Sequence, residues 1–365
     1  MSTRSDSSAA LRFKQKQIRI RQETDQALKQ IFQAESVHMQ KVHSPTLQQG
    51  FHLLREFTMR PASKRVRAML VYLGYESTGK RAPKKLAQLA AVIEIVHNYL
   101  LILDDIADRD EFRRGGSTVH EAFRKTIPGS RADKHHRGVS MAMFTGNYAS
   151  LLAFRYLMLM RWPAQKLQEA IVYLLKSLQH ETYVGEFMDI EQSWLHRTNK
   201  NVITTIAELK TASYTFSLPL TMGAILAGAN SATRRDLQHY AIPVGVGFQL
   251  ADDLLGFTPQ RHSGKPSNDI REGKVTEIIL RARKKLKQRD RQNLDALFAK
   301  SVRTQTEIKE VRRIIGKTKA LEEVQSMANA QAEKAKQVLQ KSRHIDADCA
   351  SMLSVLADIS VYRTA

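Results

Sequence analysis

The sequence has few of the residues that interrupt helices or cross-link a chain. Its 365 residues include 17 glycines, 9 prolines and a single cysteine, Cys349. One cysteine excludes an internal disulfide framework and favours a reducing compartment, so we expect a cytoplasmic protein. Strand patterns are also scarce, which argues against a fold based on sheets.

Long hydrophobic runs are few. Residues 1–22 are polar and contain no apolar core of a secretory signal. The most apolar segments are 86–103 and 217–229, of which the first contains Glu94 and His97 and the second is short. Neither segment is predicted to span a membrane.

Acidic residues are outnumbered, since 57 Lys and Arg against 36 Asp and Glu give a formal net charge of +21. Residues 1–30 carry 7 cations against 3 acids, and residues 281–345 carry 18 against 7. This charge indicates either solvated helix faces or anionic partners, namely phosphorylated metabolites or an anionic membrane contacted peripherally. Nucleic-acid motifs and compact basic blocks with aromatics are lacking, so no specific nucleic-acid binding is expected.

Apolar residues recur at steps of three and four, the spacing of one helix face. The segments with this pattern are 51–57, 66–78, 84–106, 139–160, 165–192, 202–229, 234–257 and 274–298. Segment 84–106 is apolar on most faces, which predicts a central buried helix. Dense turn residues predict loops at 129–138, 195–201 and 258–269.

These patterns predict an all-α fold, a bundle of long helices around a central cavity. No internal boundary stands out in the composition. We therefore expect one domain over residues 21–365, preceded by a flexible basic segment over residues 1–20.

Two apolar segments end in paired aspartates. LLILDDIAD carries Asp104, Asp105 and Asp108, and GVGFQLADD carries Asp252 and Asp253. On a helix, Asp104 and Asp108 lie on one face, where two carboxylates repel unless a cation separates them. Oxygen ligands suit Mg²⁺, with phosphates completing its shell. A solvated acidic helix end is the alternative for one pair; two pairs facing each other across a cavity would clamp several metal ions around a diphosphate.

Basic residues accompany both acidic pairs. They are Lys64, Arg67, Arg113, Arg114, Lys210, Lys265 and Lys274. Lys and Arg are natural ligands of diphosphate, Arg through paired hydrogen bonds. Their number exceeds what one metal-bound diphosphate requires, which predicts two diphosphates, one held through metal and one held directly. Asp110 and Glu111, which follow the first pair, are expected to be solvated.

Seven stretches of the sequence follow one another in the order of the motifs of a known family. They are SKRVR, IEIVHNYLLILDDIADRDEFRRGGSTVH, HRGVSMAMFTGNYA, VGEFMDIE, KTASYTFSLPLTMGA, FQLADDLLG and GKPSNDIREGKVT. Over roughly residues 45–365 this set resembles the trans-isoprenyl diphosphate synthases, the polyprenyl synthetase family, and its short-chain, geranylgeranyl diphosphate synthase-type members in particular. The resemblance implies an isoprenoid-synthase-type helical bundle that forms a homodimer.

The resemblance also implies roles for individual residues. Asp104 and Asp108 would ligate two Mg²⁺ ions with Asp105 in support, and Asp252 would hold a third ion beside Asp253. The allylic diphosphate would be bound by Arg113, Lys210, Thr211, Gln249, Lys265 and Lys274. Isopentenyl diphosphate would be bound by Lys64, Arg67, His97 and Arg114, with Arg363 closing over it. The catalytic set would be the five aspartates with Arg113 and Lys210.

Four positions depart from the family pattern. Gly256 stands where a third aspartate is common, Asn147 replaces an aspartate, Ser63 replaces a glycine and Glu186 replaces a glutamine. The form with Gly256 also occurs among geranylgeranyl-type members. The departures concern local backbone geometry more than the chemistry of the site.

The implied activity is that of a prenyltransferase, the Mg²⁺-dependent head-to-tail condensation of isopentenyl diphosphate with dimethylallyl, geranyl or farnesyl diphosphate. Geranylgeranyl diphosphate (C20) is the expected product, and farnesyl diphosphate (C15) is the alternative. A class I terpene cyclase would carry an N/D-x-x-S/T-x-x-x-E site in place of the second Asp pair. A non-catalytic synthase subunit is the other alternative, because such subunits tend to lose an aspartate motif.

Product length is implied to depend on Tyr99 and Leu100. Tyr99 precedes Asp104 by five residues, which is about 7.5 Å along a helix, and an ordinary core residue is the alternative interpretation. We predict that Tyr99→Ala lengthens the product, because removing the ring deepens the channel below the aspartates. Chromatography of the product measures this, and an unchanged chain length would show that Tyr99 is not the floor of the channel.

Overall fold

The computed structural model describes residues 2–195, 199–257 and 268–362. Its α-helices are α1 (Ser2–Met39), α2 (Pro45–Met59), α3 (Val66–Glu76), α4 (Leu86–Ala107), α5 (Val119–Thr126), α6 (Arg131–Met158), α7 (Ala164–Ser177), α8 (Tyr183–Leu195), α9 (Lys200–Ile206), α10 (Leu218–Ala227), α11 (Ser231–Phe257), α12 (Asn268–Glu272), α13 (Glu277–Lys285), α14 (Gln288–Phe298), α15 (Gln305–Ile315), α16 (Ala320–Lys341) and α17 (Ala347–Val361). The prediction of an all-α fold is confirmed.

Three further elements complete the described chain. Two π-helices, π1 (Leu178–Thr182) and π2 (Ala207–Ser217), continue α7 and α9. An antiparallel hairpin pairs β1 (Phe112–Arg113) with β2 (Gly116–Ser117). A π-helix inside a longer helix is often found at a functional site, and π2 carries two of the predicted ligands.

The chain divides into two compact units. Unit 1 comprises Met1–Tyr75 and Arg81–Ile171, and unit 2 comprises Glu76–Lys80 and Val172–Ala365. In unit 1, α4 packs against α1 and α6; in unit 2, α11 packs against α16 and π2. The segment predicted to be flexible is helical from Ser2, and both its flexibility and the single domain over residues 21–365 stay predictions.

Helix α4 is the buried helix that its composition predicts. Among the described residues it alone is long and apolar enough to cross a membrane, yet 78% of its most apolar window is buried inside the protein. Apolar surface buried in this way stabilises the fold by roughly 25 cal/mol per Å². Helix α4 therefore serves as a core helix of unit 1.

The loop predicted at 129–138 is wrong, because α6 begins at Arg131. The backbone N–H of Asp133 donates to Ser130 Oγ, and the N–H of Ser130 donates to Asp133 Oδ2. This capping box satisfies the exposed N–H groups of a helix start. Of the loop predicted at 195–201, Leu195 ends α8 and Asn199 caps α9, which begins at Lys200. Residues 196–198, and residues 258–267 of the loop predicted at 258–269, lie outside the described residues.

Two glycines in unit 2 allow helices to approach π2 closely. A Cβ atom at Gly245 of α11 would lie 2.2 Å from Ala212 Cα. A Cβ atom at Gly185 of α8 would lie 2.6 Å from the backbone nitrogen of Lys210. Only a residue without a side chain fits such contacts. Helices α8 and α11 therefore pack closely against π2 next to its predicted ligands, Lys210 and Thr211.

We predict that Gly245→Ala lowers the free energy of unfolding by about 1–3 kcal/mol, because the added methyl group overpacks the contact with Ala212. Urea denaturation measures the change. Gly316→Ala is the control, since its Cβ would lie no closer than 3.3 Å to Arg312 O and 3.6 Å to Arg313 O, and we expect a change within about 0.5 kcal/mol there. Equal losses in both variants would contradict the close approach.

Candidate active site

The first acidic pair lies at the C-terminal end of α4, as predicted. Asp108 caps this helix, and its N–H donates to Asp104 O at 2.8 Å. Arg109 then adopts a left-handed φ of +51°. The chain turns back so that the Asp110 N–H donates to Asp105 O at 2.9 Å, and it continues into the β1–β2 hairpin.

Arg113 of the hairpin gathers the carboxylates of this cluster. Its Nη2 atom lies 2.9 Å from Asp104 Oδ2 and 3.0 Å from Asp110 Oδ2, and its Nε atom donates to Asp105. The prediction that Asp110 is solvated is wrong, because Asp110 is buried as a partner of Arg113. Glu111 is exposed, as expected.

Burial sets the protonation of the cluster. It raises the pKa of Asp105 to about 7, against the lowering effect of Arg113. Burial lowers the pKa of Arg113, but Asp105, Asp104 and Asp110 raise that pKa by more, so Arg113 stays charged. Asp105 Oδ2 is buried and accepts no hydrogen bond within the described residues. An under-compensated carboxylate oxygen of this kind suits a hard cation.

Magnesium fits these residues only with additional ligands. No group of three or more His, Cys, Asp or Glu side chains in the described part of the chain is arranged to hold a metal ion. Mg²⁺ commonly takes one or two carboxylates and completes its shell with water and substrate phosphates. The pair formed by Asp104 and Asp108 provides such carboxylates at one helix end.

A second network in unit 1 is cationic. Arg114 Nη2 lies 3.1 Å from His97 Nε2, and Arg114 Nη1 donates to Asn98 Oδ1 at 3.2 Å. Burial, then Arg67 and Arg114, hold the pKa of His97 well below its usual range, so His97 is neutral near pH 7. Burial likewise lowers the pKa of Arg114 to about 10. Lys64 is exposed in the turn before α3. His97, Arg67 and Arg114 thus lie close to one another, and their role as ligands stays a prediction.

In unit 2, one carboxylate organises two predicted ligands. Asp189 of α8 accepts from Lys210 Nζ at 2.7 Å and from Lys274 Nζ at 3.1 Å. Lys210 also lies 3.0 Å from Glu186. Burial raises the pKa of Asp189, but Lys210 and Lys274 lower it by more, so Asp189 is ionised at every physiological pH.

A hydrogen-bonded chain connects π2 to the second acidic pair. Thr211 Oγ1 donates to Gln249 Oε1 at 2.6 Å, and Gln249 Nε2 donates to Asp253 Oδ1 at 2.7 Å. Burial and the neighbouring Asp269 raise the pKa of Asp253 well above its usual range. Asp252 is exposed at the same helix end. Burial and a neighbouring carboxylate thus disfavour the charged form of Asp253, which a bound cation would favour.

The departure at Gly256 has a structural counterpart. A Cβ atom there would lie 3.1 Å from Asp269 Oδ2, so the carboxylate of α12 occupies the space that a side chain at position 256 would need. Of the remaining predicted ligands, Lys265 and Arg363 lie outside the described residues.

The residues predicted to set product length lie on α4. Tyr99 is buried and Leu100 is half-buried. A Cβ atom at Gly146 of α6 would meet the backbone oxygen of Tyr99 at 3.6 Å. Tyr99 is therefore on a stretch of α4 that α6 packs against closely.

Two site residues were missed in the sequence, Asp189 and Asp269. Asp189 ends the VGEFMD stretch, and its place in that motif was the available signal. Asp269 lies in a stretch rich in turn residues, and no spacing along the chain relates it to Gly256. Contacts between separate helices reveal both residues.

Comparison with known proteins indicates the same family as the motifs do. The sequence profile of the family described as Polyprenyl synthetase matches residues 51–315. A short chain isoprenyl diphosphate synthase of Methanocaldococcus jannaschii is 32% identical over 255 residues, 69% of this chain and 72% of that protein. A geranylgeranyl pyrophosphate synthase of Geoglobus acetivorans is 29% identical over 235 residues, 64% of this chain and 68% of that protein.

A solved structure is similar over nearly the whole chain. The geranylgeranyl pyrophosphate synthase of Corynebacterium glutamicum, crystallised with isoprenyl diphosphate and magnesium, matches with a TM-score of 0.87 and 27% identity. The match covers 94% of this chain and 99% of that one. With the ordered motifs and the acidic and basic groups described above, these similarities show that the chain belongs to the polyprenyl synthetase family and is a prenyltransferase.

Proposed function

We propose that the protein condenses isopentenyl diphosphate head to tail with an allylic diphosphate, in a Mg²⁺-dependent reaction that yields geranylgeranyl diphosphate. The observation that carries this proposal is the divergence of two consecutive arginines. Arg113 binds the carboxylates at the end of α4, whereas Arg114 binds His97 and Asn98. One hairpin thus serves both a metal-binding group and a direct anion-binding group, as two diphosphates require.

The metal-binding role falls to three carboxylates. Asp104 and Asp108 would hold two Mg²⁺ ions and Asp252 a third, with Asp105 and Asp253 beside them. Bound Mg²⁺ would neutralise the diphosphate as it leaves the allylic substrate. Arg113 now pairs with Asp104 and Asp105. A cation bound there would supply that positive charge, and the Arg113 guanidinium would then be able to bind the diphosphate.

The remaining allylic ligands come from unit 2. Lys210 and Lys274, which share Asp189, would bind the leaving diphosphate together with Lys265. Thr211 and Gln249 lie beside Lys210 and fix each other by a hydrogen bond. After ionisation, the backbone carbonyls of Lys210 and Thr211 in π2 and the Gln249 amide would face the allylic cation with their negative ends.

The other substrate would bind to Lys64, Arg67, His97 and Arg114. Because His97 is neutral, the positive charge that meets isopentenyl diphosphate comes from Lys64 and the two arginines. The C3–C4 double bond of this substrate attacks the allylic cation and forms the new carbon–carbon bond. A proton would then leave C2 of the isopentenyl unit, which forms the new allylic double bond, and the departing diphosphate would accept that proton.

The product length that we propose is C20. The relatives named above include geranylgeranyl synthases, and a geranylfarnesyl diphosphate synthase of Aeropyrum pernix is 27% identical over 318 residues. Those names support a product of C20 or longer over the C15 alternative. The buried ring of Tyr99 on α4 is our candidate for the stop.

Condensation of isopentenyl diphosphate with each allylic primer by the purified protein and Mg²⁺ tests the function. We predict that Asp104→Asn lowers kcat at least about a hundredfold, because it removes charge at the metal site. Glu111→Gln is the matched control, since Glu111 is exposed seven residues further on, and it should retain wild-type kcat. Without condensation by the wild type, the enzyme proposal fails in favour of a non-catalytic subunit; a cyclised product would indicate a terpene cyclase.

The exposed face of α6 supports a homodimer. Phe144, Leu151 and Met158 recur every seven residues and are 73%, 68% and 64% exposed. Met143 and Leu159 extend this apolar stripe. A contiguous apolar helix face is typical of a protein interface, and a second copy of the chain would bury it symmetrically.

We predict that Leu151→Glu shifts the protein from dimer to monomer, because it places a charge at the centre of the stripe. Light scattering after size-exclusion chromatography measures the mass. Leu11→Glu, at another exposed apolar residue in unit 1, should leave the mass unchanged. A monomeric wild type would contradict the dimer.

Peripheral contact with anionic membrane and a cytoplasmic location are further proposals. The end of α13, the start of α14 and the turn between them expose Lys284, Lys287, Arg289 and Arg291. These cations would attract the acidic headgroups of a membrane that contains the prenyl product. Salt-sensitive sedimentation with anionic liposomes would support the contact, and its absence would refute the contact.

The proposed cytoplasmic location rests on the single, buried Cys349, and cell fractionation tests it.

A further inference from the structure

Arg65, between the predicted ligands Lys64 and Arg67, has an unusual backbone. Its φ is +51°, in the left-handed region that residues with a side chain rarely adopt. Arg65 is nevertheless buried, with 4% of its surface exposed. A strained residue persists only where its surroundings hold it, and such strain gathers at functional sites.

Three partners hold the Arg65 guanidinium. Its Nη1 atom donates to Glu94 Oε2 at 3.0 Å, its Nε atom to Asp25 Oδ1 at 2.9 Å and its Nη2 atom to Thr58 O at 2.8 Å. These partners lie on α4, α1 and α2. The turn before α3 is therefore fixed to three helices of unit 1 through one side chain.

Glu94 connects this turn with the Arg114 network. Its side chain is 2% exposed and pairs with Arg65, and its backbone oxygen accepts from Asn98 Nδ2 at 2.5 Å. Asn98 in turn accepts from Arg114, which is itself left-handed with a φ of +52°. One turn of α4 thus anchors both loops that carry predicted ligands of isopentenyl diphosphate.

Charge gives Glu94 a second effect. Arg65, Arg67 and Arg114 all lie close enough to lower the pKa of His97, so they also repel one another. Glu94 is a buried carboxylate beside this group and favours the charged form of Arg114. A buried counter-ion lets the cations gather before any diphosphate binds.

We propose that Arg65 and Glu94 are positioning residues for isopentenyl diphosphate: their buried ion pair fixes the left-handed turn that points Lys64 and Arg67 at one diphosphate. The inference rests on the proposed function. Neither residue has to touch the substrate, since each acts through the ligands that it orients. Preorganised ligands bind more tightly because little reorganisation accompanies binding.

The test compares Michaelis constants for the two substrates. In Glu94→Gln and Arg65→Lys, we expect the KM for isopentenyl diphosphate to rise about tenfold or more, because misplacement of a ligand by about 1 Å is costly. The KM for the allylic substrate should change less than about twofold, because Arg113 is held by its own carboxylates at the end of α4, and Lys210 and Lys274 are held by Asp189. An unchanged KM for isopentenyl diphosphate in both variants would overturn the proposal.

Two controls separate positioning from stability. Glu35→Gln alters another buried carboxylate of unit 1, which binds Arg155 and Tyr148; it should lower the melting temperature without raising either KM. The double variant Arg65→Met with Glu94→Met removes both buried charges, which restores stability. It should keep the raised KM for isopentenyl diphosphate, and recovery of that KM with stability would overturn the proposal. Failure of the wild type to condense would instead refute the proposed function.

Discussion

Carboxylates buried at the end of an apolar helix impose the main constraint on this protein. Helix α4 is stabilised by its burial, yet it ends in Asp105, which is inaccessible to water. Arg113 compensates part of that charge by bringing three carboxylates around one guanidinium. Asp105 Oδ2 accepts no hydrogen bond from the part of the chain that the structure describes, which makes the cluster receptive to a cation. Folding thus places these carboxylates at the helix end where we propose that metal ions bind.

In unit 2 the signs of the charges are reversed, because one carboxylate there pairs with two cations. This carboxylate, Asp189, pairs with two lysines, Lys210 and Lys274. Gly185 and Gly245 bring α8 and α11 against π2, and Thr211 is then within reach of Gln249. Close backbone packing and a shared counter-ion therefore place cationic ligands that would otherwise sample many rotamers.

Much of the fold and of the chemistry could be predicted from the sequence. Periodicity located the long helices, because burial of one face leaves a regular apolar pattern, and the motif order indicated the family. The start of α6 was missed because Ser130 and Asp133 belong to a stretch of turn residues but cap a helix. Asp110 was missed as well, since its burial depends on Arg113 returning across a hairpin.

The partners of site residues were the least predictable feature. In the sequence, Arg65 is not distinguished from the other cations of SKRVR, and Glu94 is simply a polar residue in an apolar segment. Their pairing spans 29 positions of the chain, and no local pattern encodes a contact of that range. The net charge likewise does not predict that Lys285, Lys300 and Lys317 form ion pairs with acidic residues.

The β1–β2 hairpin has a consequence for the evolution of the chain. Surface turns usually tolerate insertions and deletions. Here Arg113 and Arg114 are consecutive, and the left-handed backbone at Arg114 sends them to different networks. One residue gained or lost between Phe112 and Gly115 would give each network the wrong side chain. The length of this short hairpin is consequently constrained, whereas the identity of its exposed residues is free to change.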